Sequence, residues 1–240
     1  MLQHEPLLPQ ITLGRAVPVD RPVCPTDREG WARRLLNVAV AAVGLVLALP
    51  LMLTLAALIK LTSRGPVLFK QTRIGLDRRA LSRAGGNTRR QIDYGGTPFT
   101  MYKFRTMYVD RHGRARQAWA KPDDDRVTPV GRVLRRFRLD ELPQLINVLR
   151  GEMNMVGPRP EQPAIFVQLR ERLEGYQRRQ RVRPGITGWA QVNQGYDTSI
   201  EDVRRKLRYD LDYIRGQSPV ADLKIMARTI PVMAFRQGSW

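Results

Sequence analysis

The sequence predicts an α+β protein that is mostly helical, in which a proline-broken membrane helix precedes a compact domain with a small β-hairpin. Three features predict this class. Residues 35–59 carry no charged side chain and contain Pro50. Two later runs, 66–75 and 97–107, alternate apolar with polar residues, as paired strands do. From about residue 130 onward the apolar residues recur at helical spacing.

The apolar segment, LLNVAVAAVGLVLALPLMLTLAALI at 35–59, is long enough to span a bilayer. It begins too late and is too long to be the apolar part of a signal peptide. Pro50 removes a helical hydrogen bond and is expected to bend or break the helix there. A hairpin that returns to the cytoplasmic face and a kinked spanning helix both fit, since both ends are basic. The flanking basic residues are Arg33, Arg34, Lys60 and Arg64.

The chain carries 41 basic and 22 acidic residues, a formal net charge of +19, which favours anionic partners. A single cysteine, Cys24, excludes an internal disulfide, and the two histidines are far apart in sequence. Cys/His metal sites are therefore not expected. Neither GxxxxGK[ST] nor GxGxxG occurs, so the usual sequence arguments for a P-loop or Rossmann nucleotide site are missing.

The chain divides into three parts. Residues 1–30 contain several prolines without clear periodicity and are predicted to form a mobile tail. Residues 31–62 hold the membrane segment, and residues 63–240 form one folded domain. Inside this domain, residues 76–96 are basic and glycine-rich, and we expect a long flexible loop that touches acidic headgroups.

Two adjacent carboxylates, Asp140 and Glu141, stand out in the segment RRFRLDELPQLINVLRGEMNMVGPRP at 135–160. Pro143 suits the first turn of a helix, so the helix is predicted to begin near Asp140, which would lie at or next to its N-cap. Neighbouring helical residues point about 100° apart, so the two carboxylates would have different tasks. One could attack a phosphorus atom and the other could hold Mg²⁺. Taken alone, such a pair is more often an ordinary helix cap with favourable dipole interactions.

Arginines flank this carboxylate pair on both sides. Pro158 and Pro160 restrict the backbone around Arg159, which fixes where its guanidinium is presented to a phosphate. A solvated helix face and a rigid turn are the alternatives for these arginines. The arginines before the pair are Arg135, Arg136 and Arg138.

Four motifs occur in order: YKFRTM (102–107), RVTPVGRVLRRFRLDELPQLINVLRGEMNMVGPRPE (126–161), RPGITGWAQVN (183–193) and KLRYDLDYI (206–214). With the proline-broken membrane segment before them, this set resembles the monotopic bacterial phosphoglycosyl transferases. These are the polyprenyl-phosphate sugar-1-phosphate transferases that start cell-surface glycan assembly. The resemblance runs from about residue 31 to the C-terminus. It implies a re-entrant helix broken at Pro50 and a catalytic domain at 63–240 on the cytoplasmic face of the bacterial inner membrane.

The resemblance also implies roles for single residues. Asp140 matches the nucleophile that forms an aspartyl phosphosugar intermediate, and Glu141 matches a Mg²⁺ ligand. Lys103 would lie near the metal and phosphates, and Arg135 and Arg159 would hold phosphate. The implied partners are a UDP-sugar, a polyprenyl (undecaprenyl) phosphate lipid and the membrane, with UMP as product. No nucleic acid is expected, and a homodimer is compatible with the sequence. The remaining implied substrate-binding residues are Arg105, Arg138, Pro158, Arg183 and Gln191.

Two rival functions compete with this interpretation. A glycosyltransferase could bind its metal through Asp123 and Asp125, although the PDDD sequence around them is also typical of an exposed turn. A membrane-tethered binder of nucleic acid or acidic lipid would explain the basic charge. Aromatic residues make up only 7% of the chain, which argues against a stacking platform for single strands. The stretch at 221–237 could lie in the membrane interface or pack in the core.

Overall fold

The computed structural model describes residues 30–77, 94–109, 124–195, 197 and 199–234. The predicted tail before Gly30 and most of the predicted inter-strand loop, 78–93, lie outside these residues. The elements in chain order are α1 (Trp31–Thr62), β1 (Leu68–Ile74), β2 (Pro98–Phe104), α2 (Pro129–Arg136), α3 (Gln144–Leu149), β3 (Asn154–Val156), α4 (Pro163–Arg172), β4 (Gly185–Thr187), α5 (Trp189–Asn193), α6 (Ile200–Gly216) and α7 (Pro219–Ala234). The mostly helical class with a small sheet is thus confirmed.

The membrane segment forms α1, which continues through Pro50 as one helix of 32 residues. Proline lacks a single N–H, and the surrounding helical hydrogen bonds tolerate its loss. The expected break is therefore absent, and α1 is helical on both sides of Pro50. Within the described residues, α1 is the one helix that is long and apolar enough to cross a membrane.

One side of α1 packs on the rest of the chain in two stretches, one in each half of the helix. In the first half, Ala41 is buried beside Leu145 of α3. In the second half, Leu55 and Ile59 pack with Phe104 of β2. The helix therefore completes the apolar core. Its other side exposes large apolar residues: Leu35, Val43, Val46, Leu47, Leu53 and Leu61.

The predicted strand pair is confirmed as an antiparallel β1–β2 hairpin, with Leu68 opposite Phe104 and Ile74 opposite Pro98. Side chains alternate between the two faces of a strand, and directly opposed residues share a face. Arg73 lies opposite Phe99, and Lys103 lies opposite Phe69. Arg73 and Lys103 therefore stand on the same face of the hairpin.

A second sheet pairs β3 with β4 in parallel, and two glycines allow the backbones next to these strands to approach each other closely. A Cβ atom on Gly157 would lie 2.5 Å from the carbonyl oxygen of Arg183, and one on Gly185 would lie 2.0 Å from the nitrogen of Gly157. Any side chain at these positions would thus collide with backbone. The glycines of the VGPRP and RPGITG motifs serve this close approach.

Candidate active site

The carboxylate pair lies in a 3-10 turn, Leu139–Glu141, that directly precedes α3. The prediction that Asp140 caps this helix is wrong, because α3 begins only at Gln144. Arg138 enters the turn with φ 53°, the only positive φ at a non-glycine among the described residues. A left-handed backbone at arginine is strained, and such strain concentrates at functional sites.

Glu141 is buried and forms ion pairs with two cations from distant parts of the chain. Arg159 Nη2 lies 2.5 Å from Glu141 Oε1, and Lys103 Nζ lies 3.2 Å from the same oxygen. Burial alone would raise the pKa of Glu141, but Arg159 and Lys103 outweigh it and hold this pKa well below its usual range. Glu141 is therefore ionised at neutral pH.

Asp140 differs from Glu141 in its hydrogen bonding and in the direction of its pKa shift. It is half-buried, and no donor within the described residues hydrogen-bonds to its carboxylate. Burial raises the pKa of Asp140 above the ordinary value, the charge of Lys103 opposes this rise, and the charge of Glu141 adds to it. Asp140 thus offers an unengaged and comparatively basic carboxylate, as a nucleophile requires.

Cations outnumber carboxylates around the pair. Arg135 donates from Nε to Thr106 Oγ1 at 3.0 Å, and its charge acts on Asp140. Five cations lie around Asp140, Glu141 and the nearby Glu161, so the site carries a positive excess that suits an anionic substrate. The cations are Arg73, Lys103, Arg135, Arg138 and Arg159.

Sequence reasoning missed Arg73. Burial, opposed by the nearby Glu161 and Glu141 and reinforced by Arg159, lowers the pKa of its guanidinium to about 10. The signal was available in the strand pattern, because pairing β1 with β2 in this register places residue 73 on the same face as Lys103.

Arg105 does not point its donors at the carboxylate pair. It is buried, and its Nη2 donates to the carbonyl of Ser63 at 2.7 Å while its Nη1 donates to that of Arg64 at 3.0 Å. These acceptors lie just beyond the C-terminal end of α1, where carbonyls lack helical partners. Arg105 therefore caps the membrane helix.

Two further residues of the predicted set form backbone contacts elsewhere. Arg183 Nε donates to the carbonyl of Gly151 at 3.0 Å, beyond the end of α3 that is remote from Glu141. Gln191 Nε2 donates to the carbonyl of Ile186 at 3.0 Å. Their assignment to the substrate stays a prediction from the resemblance.

The rival metal site, Asp123 with Asp125, is described only in part. Asp123 lies outside the described residues. Asp124, between the two proposed ligands, forms an ion pair with Arg126 at 2.6 Å, and this hydrogen-bonded arginine lowers the pKa of Asp124 to about 2. The contact is typical of the exposed turn expected from the sequence.

A hard cation fits the carboxylate pair. Within the described ranges no group of three or more His, Cys, Asp or Glu side chains could form a metal site. Mg²⁺ needs no such group, because it binds one or two carboxylates and takes other oxygens from water and substrate phosphates. Glu141 supplies an ionised carboxylate, and the adjacent cations would hold the phosphates.

The apolar helix α1, the paired carboxylates and the surrounding cations are together typical of a membrane-associated enzyme that acts on phosphorylated substrates. Residues 28–236 match the family described as bacterial sugar transferase, and the chain belongs to this family.

Curated relatives share most of this chain. It is 39% identical over 206 residues to the UDP-N-acetylgalactosamine-undecaprenyl-phosphate N-acetylgalactosaminephosphotransferase of Aeromonas hydrophila, covering 86% of this chain and 44% of that protein. It is 40% identical over 200 residues to the UDP-glucose:undecaprenyl-phosphate glucose-1-phosphate transferase of Escherichia coli, covering 82% of this chain and 39% of the relative. The like-named protein of Caulobacter vibrioides is 44% identical over 201 residues, with coverages of 83% and 68%. The chain thus spans about two fifths of the first two relatives.

Proposed function

We propose that the protein transfers a sugar-1-phosphate from a UDP-sugar to undecaprenyl phosphate and releases UMP, the first membrane step of cell-surface glycan synthesis. The observation that carries this proposal is the contrast within the carboxylate pair. Glu141 is ionised and engaged by two cations, whereas the more basic Asp140 has no hydrogen-bond donor among the described residues. The names of the relatives support the substrate class.

In the first half-reaction an oxygen of Asp140 attacks the sugar-bearing phosphorus of the UDP-sugar. The new bond joins Asp140 to phosphorus, and the bond from phosphorus to the bridging oxygen breaks with its electrons, so UMP leaves. Negative charge grows on the leaving oxygen, and the cations that surround the pair are placed to stabilise it. A covalent aspartyl phosphosugar remains.

In the second half-reaction an oxygen of the lipid phosphate attacks the same phosphorus. The bond to Asp140 breaks, the carboxylate is restored, and the product is a polyprenyl diphosphate sugar. Both steps use one carboxylate, so the kinetics should be ping-pong. No histidine is required as a base in this scheme, because a carboxylate and a phosphate oxygen attack without giving up a proton.

Glu141 would hold Mg²⁺ together with the diphosphate. A bound Mg²⁺ would neutralise charge on the phosphate oxygens and align the group for in-line displacement. Arg159 and Lys103 now contact the Glu141 oxygens, so they would have to shift toward the substrate when the metal binds. Such a shift would place both cations on the phosphates.

The contacts of α1 support a re-entrant membrane arrangement. Near its start, Arg33 pairs with Asp222 at 2.8 Å, and near its end Arg105 binds the carbonyl of Ser63. In a straight helix Arg33 and Ile59 would be about 39 Å apart, more than the roughly 30 Å hydrocarbon layer. A folded unit on one side of the bilayer would reach both ends if α1 re-enters that side, which would require this continuous helix to bend near Pro50 without a break. We place this unit at the cytoplasmic face of the inner membrane.

The test is incubation of the detergent-solubilised protein with Mg²⁺ and a panel of UDP-sugars, without lipid. UMP release and intact protein mass are measured for the wild type, Asp140→Asn and Asp212→Asn, a control at an exposed aspartate of α6. We expect a mass gain of one phosphosugar in the wild type and the control, and none in Asp140→Asn. UMP release without an adduct would replace the covalent mechanism by direct transfer, and no reaction with any donor would contradict the proposed activity.

A further inference from the structure

The backbone of the turn that presents Arg159 is fixed through its carbonyl groups. Pro158 and Pro160 have no N–H to donate, so acceptors must fix this stretch. The carbonyl of Pro158 accepts from Gly185 N at 3.0 Å, and that of Glu161 accepts from Ile74 N at 3.0 Å. The two carbonyls between them accept from side chains. Every carbonyl from 158 to 161 is therefore occupied, each by a different donor.

The two side-chain donors are arginines. Arg73 Nη1 donates to the carbonyl of Pro160 at 2.9 Å. Arg179 Nη2 donates to the carbonyl of Arg159 itself at 2.9 Å. Arg179 thus binds the backbone of the residue whose side chain reaches Glu141.

Arg179 is itself held in one orientation. Its side chain is 1% exposed, and its Nε lies 2.7 Å from Asp210 Oδ2. Its Nη1 donates to the hydroxyl of Tyr176 at 2.8 Å, and its guanidinium carbon lies 4.9 Å from the centre of that ring. A guanidinium has a rigid planar fork, so these contacts direct Nη2 at the Arg159 carbonyl.

Helix α6 supports the same turn at two positions, and both lie in the KLRYDLDYI motif. Asp210 holds Arg179, and one helical turn earlier Lys206 Nζ lies 2.8 Å from Glu161 Oε1 and 2.8 Å from Asp197 Oδ2. Residues four apart lie on one face of a helix. This face of α6 therefore fixes both the backbone and the acidic side chain that end the turn.

We infer that Arg179, held by Asp210, is a positioning residue for the transfer reaction, and that it acts by fixing the backbone from which Arg159 reaches Glu141 and the substrate phosphates. In this role Arg179 would act through the backbone of Arg159 and not by contact with substrate or metal. This inference rests on the proposed function only for its effect on rate, whereas the effect on the turn is independent of it.

The test variant removes both buried charges, Arg179→Met with Asp210→Leu, because a single change would leave an unpaired buried charge and endanger folding. Arg178→Met is the matched control, since Arg178 is the exposed neighbour. Amide hydrogen exchange is measured on peptides that cover Ile74 and Gly185, whose N–H groups donate to the carbonyls of Glu161 and Pro158 in the turn. We expect exchange there to rise by about tenfold or more in the double variant, with the control unchanged. Unchanged exchange would overturn the inference even if the wild type had no activity.

Activity provides the second measurement. In the double variant kcat should fall by about 10- to 100-fold, with a smaller change in KM for the UDP-sugar, because a small misplacement of a catalytic group costs this much. The same double change is then made in an Arg159→Ala background. If Arg179 acts through Arg159, the further loss there should be under about twofold, since coupled residues are not additive.

An equal loss of kcat in both backgrounds would mean that Arg179 serves stability alone and would overturn the inference. An active wild type with this result would leave the proposed function intact. An inactive wild type would contradict the proposed function, and the exchange measurement would still decide the inference about the turn.

Discussion

Arg159 reaches Glu141, 18 residues earlier in the chain, and its Nη2 lies 2.5 Å from Glu141 Oε1. This contact connects the two motifs that the sequence analysis singled out separately. It also means that the carboxylate proposed to hold a metal is already neutralised by an arginine in the protein alone. Diphosphate and Mg²⁺ together would replace this internal pair, the anion by binding Arg159 and the cation by binding Glu141.

Glu141→Gln should uncouple nucleotide binding from the metal. The change removes the anion that now engages Arg159 and Lys103, so both cations become available to phosphate. In the presence of EDTA we expect UDP to bind the variant about fivefold more tightly than the wild type, or ~1 kcal/mol, while transfer activity is lost. Calorimetric titration with and without Mg²⁺ measures this, with the exposed Glu201→Gln as control. Weaker binding of UDP to the variant in EDTA would contradict the inference that Glu141 competes with phosphate for Arg159 and Lys103.

Arg105→Met should lower stability rather than substrate affinity. The variant loses charged donors to the end of α1, and bonds of this kind contribute about 1.5–3 kcal/mol each. We expect the free energy of unfolding to fall by ~2–4 kcal/mol, with KM of the folded protein within about twofold of the wild type. Thermal unfolding and initial rates are compared with Arg132→Met, which removes an exposed arginine. A large rise in KM at unchanged stability would restore Arg105 to the substrate site.

The Glu161 carboxylate should make stability depend on pH. Burial alone would raise the pKa of Glu161, but Lys206 and Arg179 outweigh it and lower this pKa from 4.5 to about 2. A lowered folded-state pKa contributes stability above pH 4.5 that is lost as the pH falls toward 2, in total ~3 kcal/mol.

Denaturant unfolding of the wild type and Glu161→Gln at several pH values measures this contribution. The wild type should be the more stable protein at pH 7, and the difference should shrink steadily below pH 4.5. Glu174→Gln, at an exposed glutamate, should show no such trend. A difference between the wild type and Glu161→Gln that stays constant with pH would refute the assignment.

The path of α1 can be tested with the single cysteine of the sequence, Cys24, which precedes the helix. If α1 re-enters the cytoplasmic side, a membrane-impermeant thiol reagent should label Cys24 in inverted vesicles and leave it unlabelled in spheroplasts. Cys24→Ser gives the background. Labelling in spheroplasts would instead establish a spanning helix. Pro50→Leu should shift a fraction of molecules to that pattern, because it removes the bend.

The elements with strong local signals were predictable. The hairpin followed from alternation, and the extent of α1 followed from an uncharged run. The helix start near Asp140 was placed wrongly because a 3-10 turn and an α-helical cap require the same short-range residues. Continuity through Pro50 was also missed, since the cost of one proline depends on what packs around the helix.

Among the site residues, Lys103 and Arg159 both contact Glu141, and the phosphate contacts that the resemblance implied for them stay predictions. Arg105 shows what a sequence cannot resolve. An arginine suits a phosphate and a helix terminus equally well, and only the fold decides which acceptors come within reach.

The burial of α1 residues in the core has a consequence for biogenesis. Ala41 and Ile59 are fully or almost fully buried against residues that follow much later in the chain. During translation α1 leaves the ribosome before the residues that pack on it, so it would enter lipid before these partners exist. The rest of the chain must then assemble on a helix that is already inserted, so a truncated protein without α1 would expose apolar surface and aggregate.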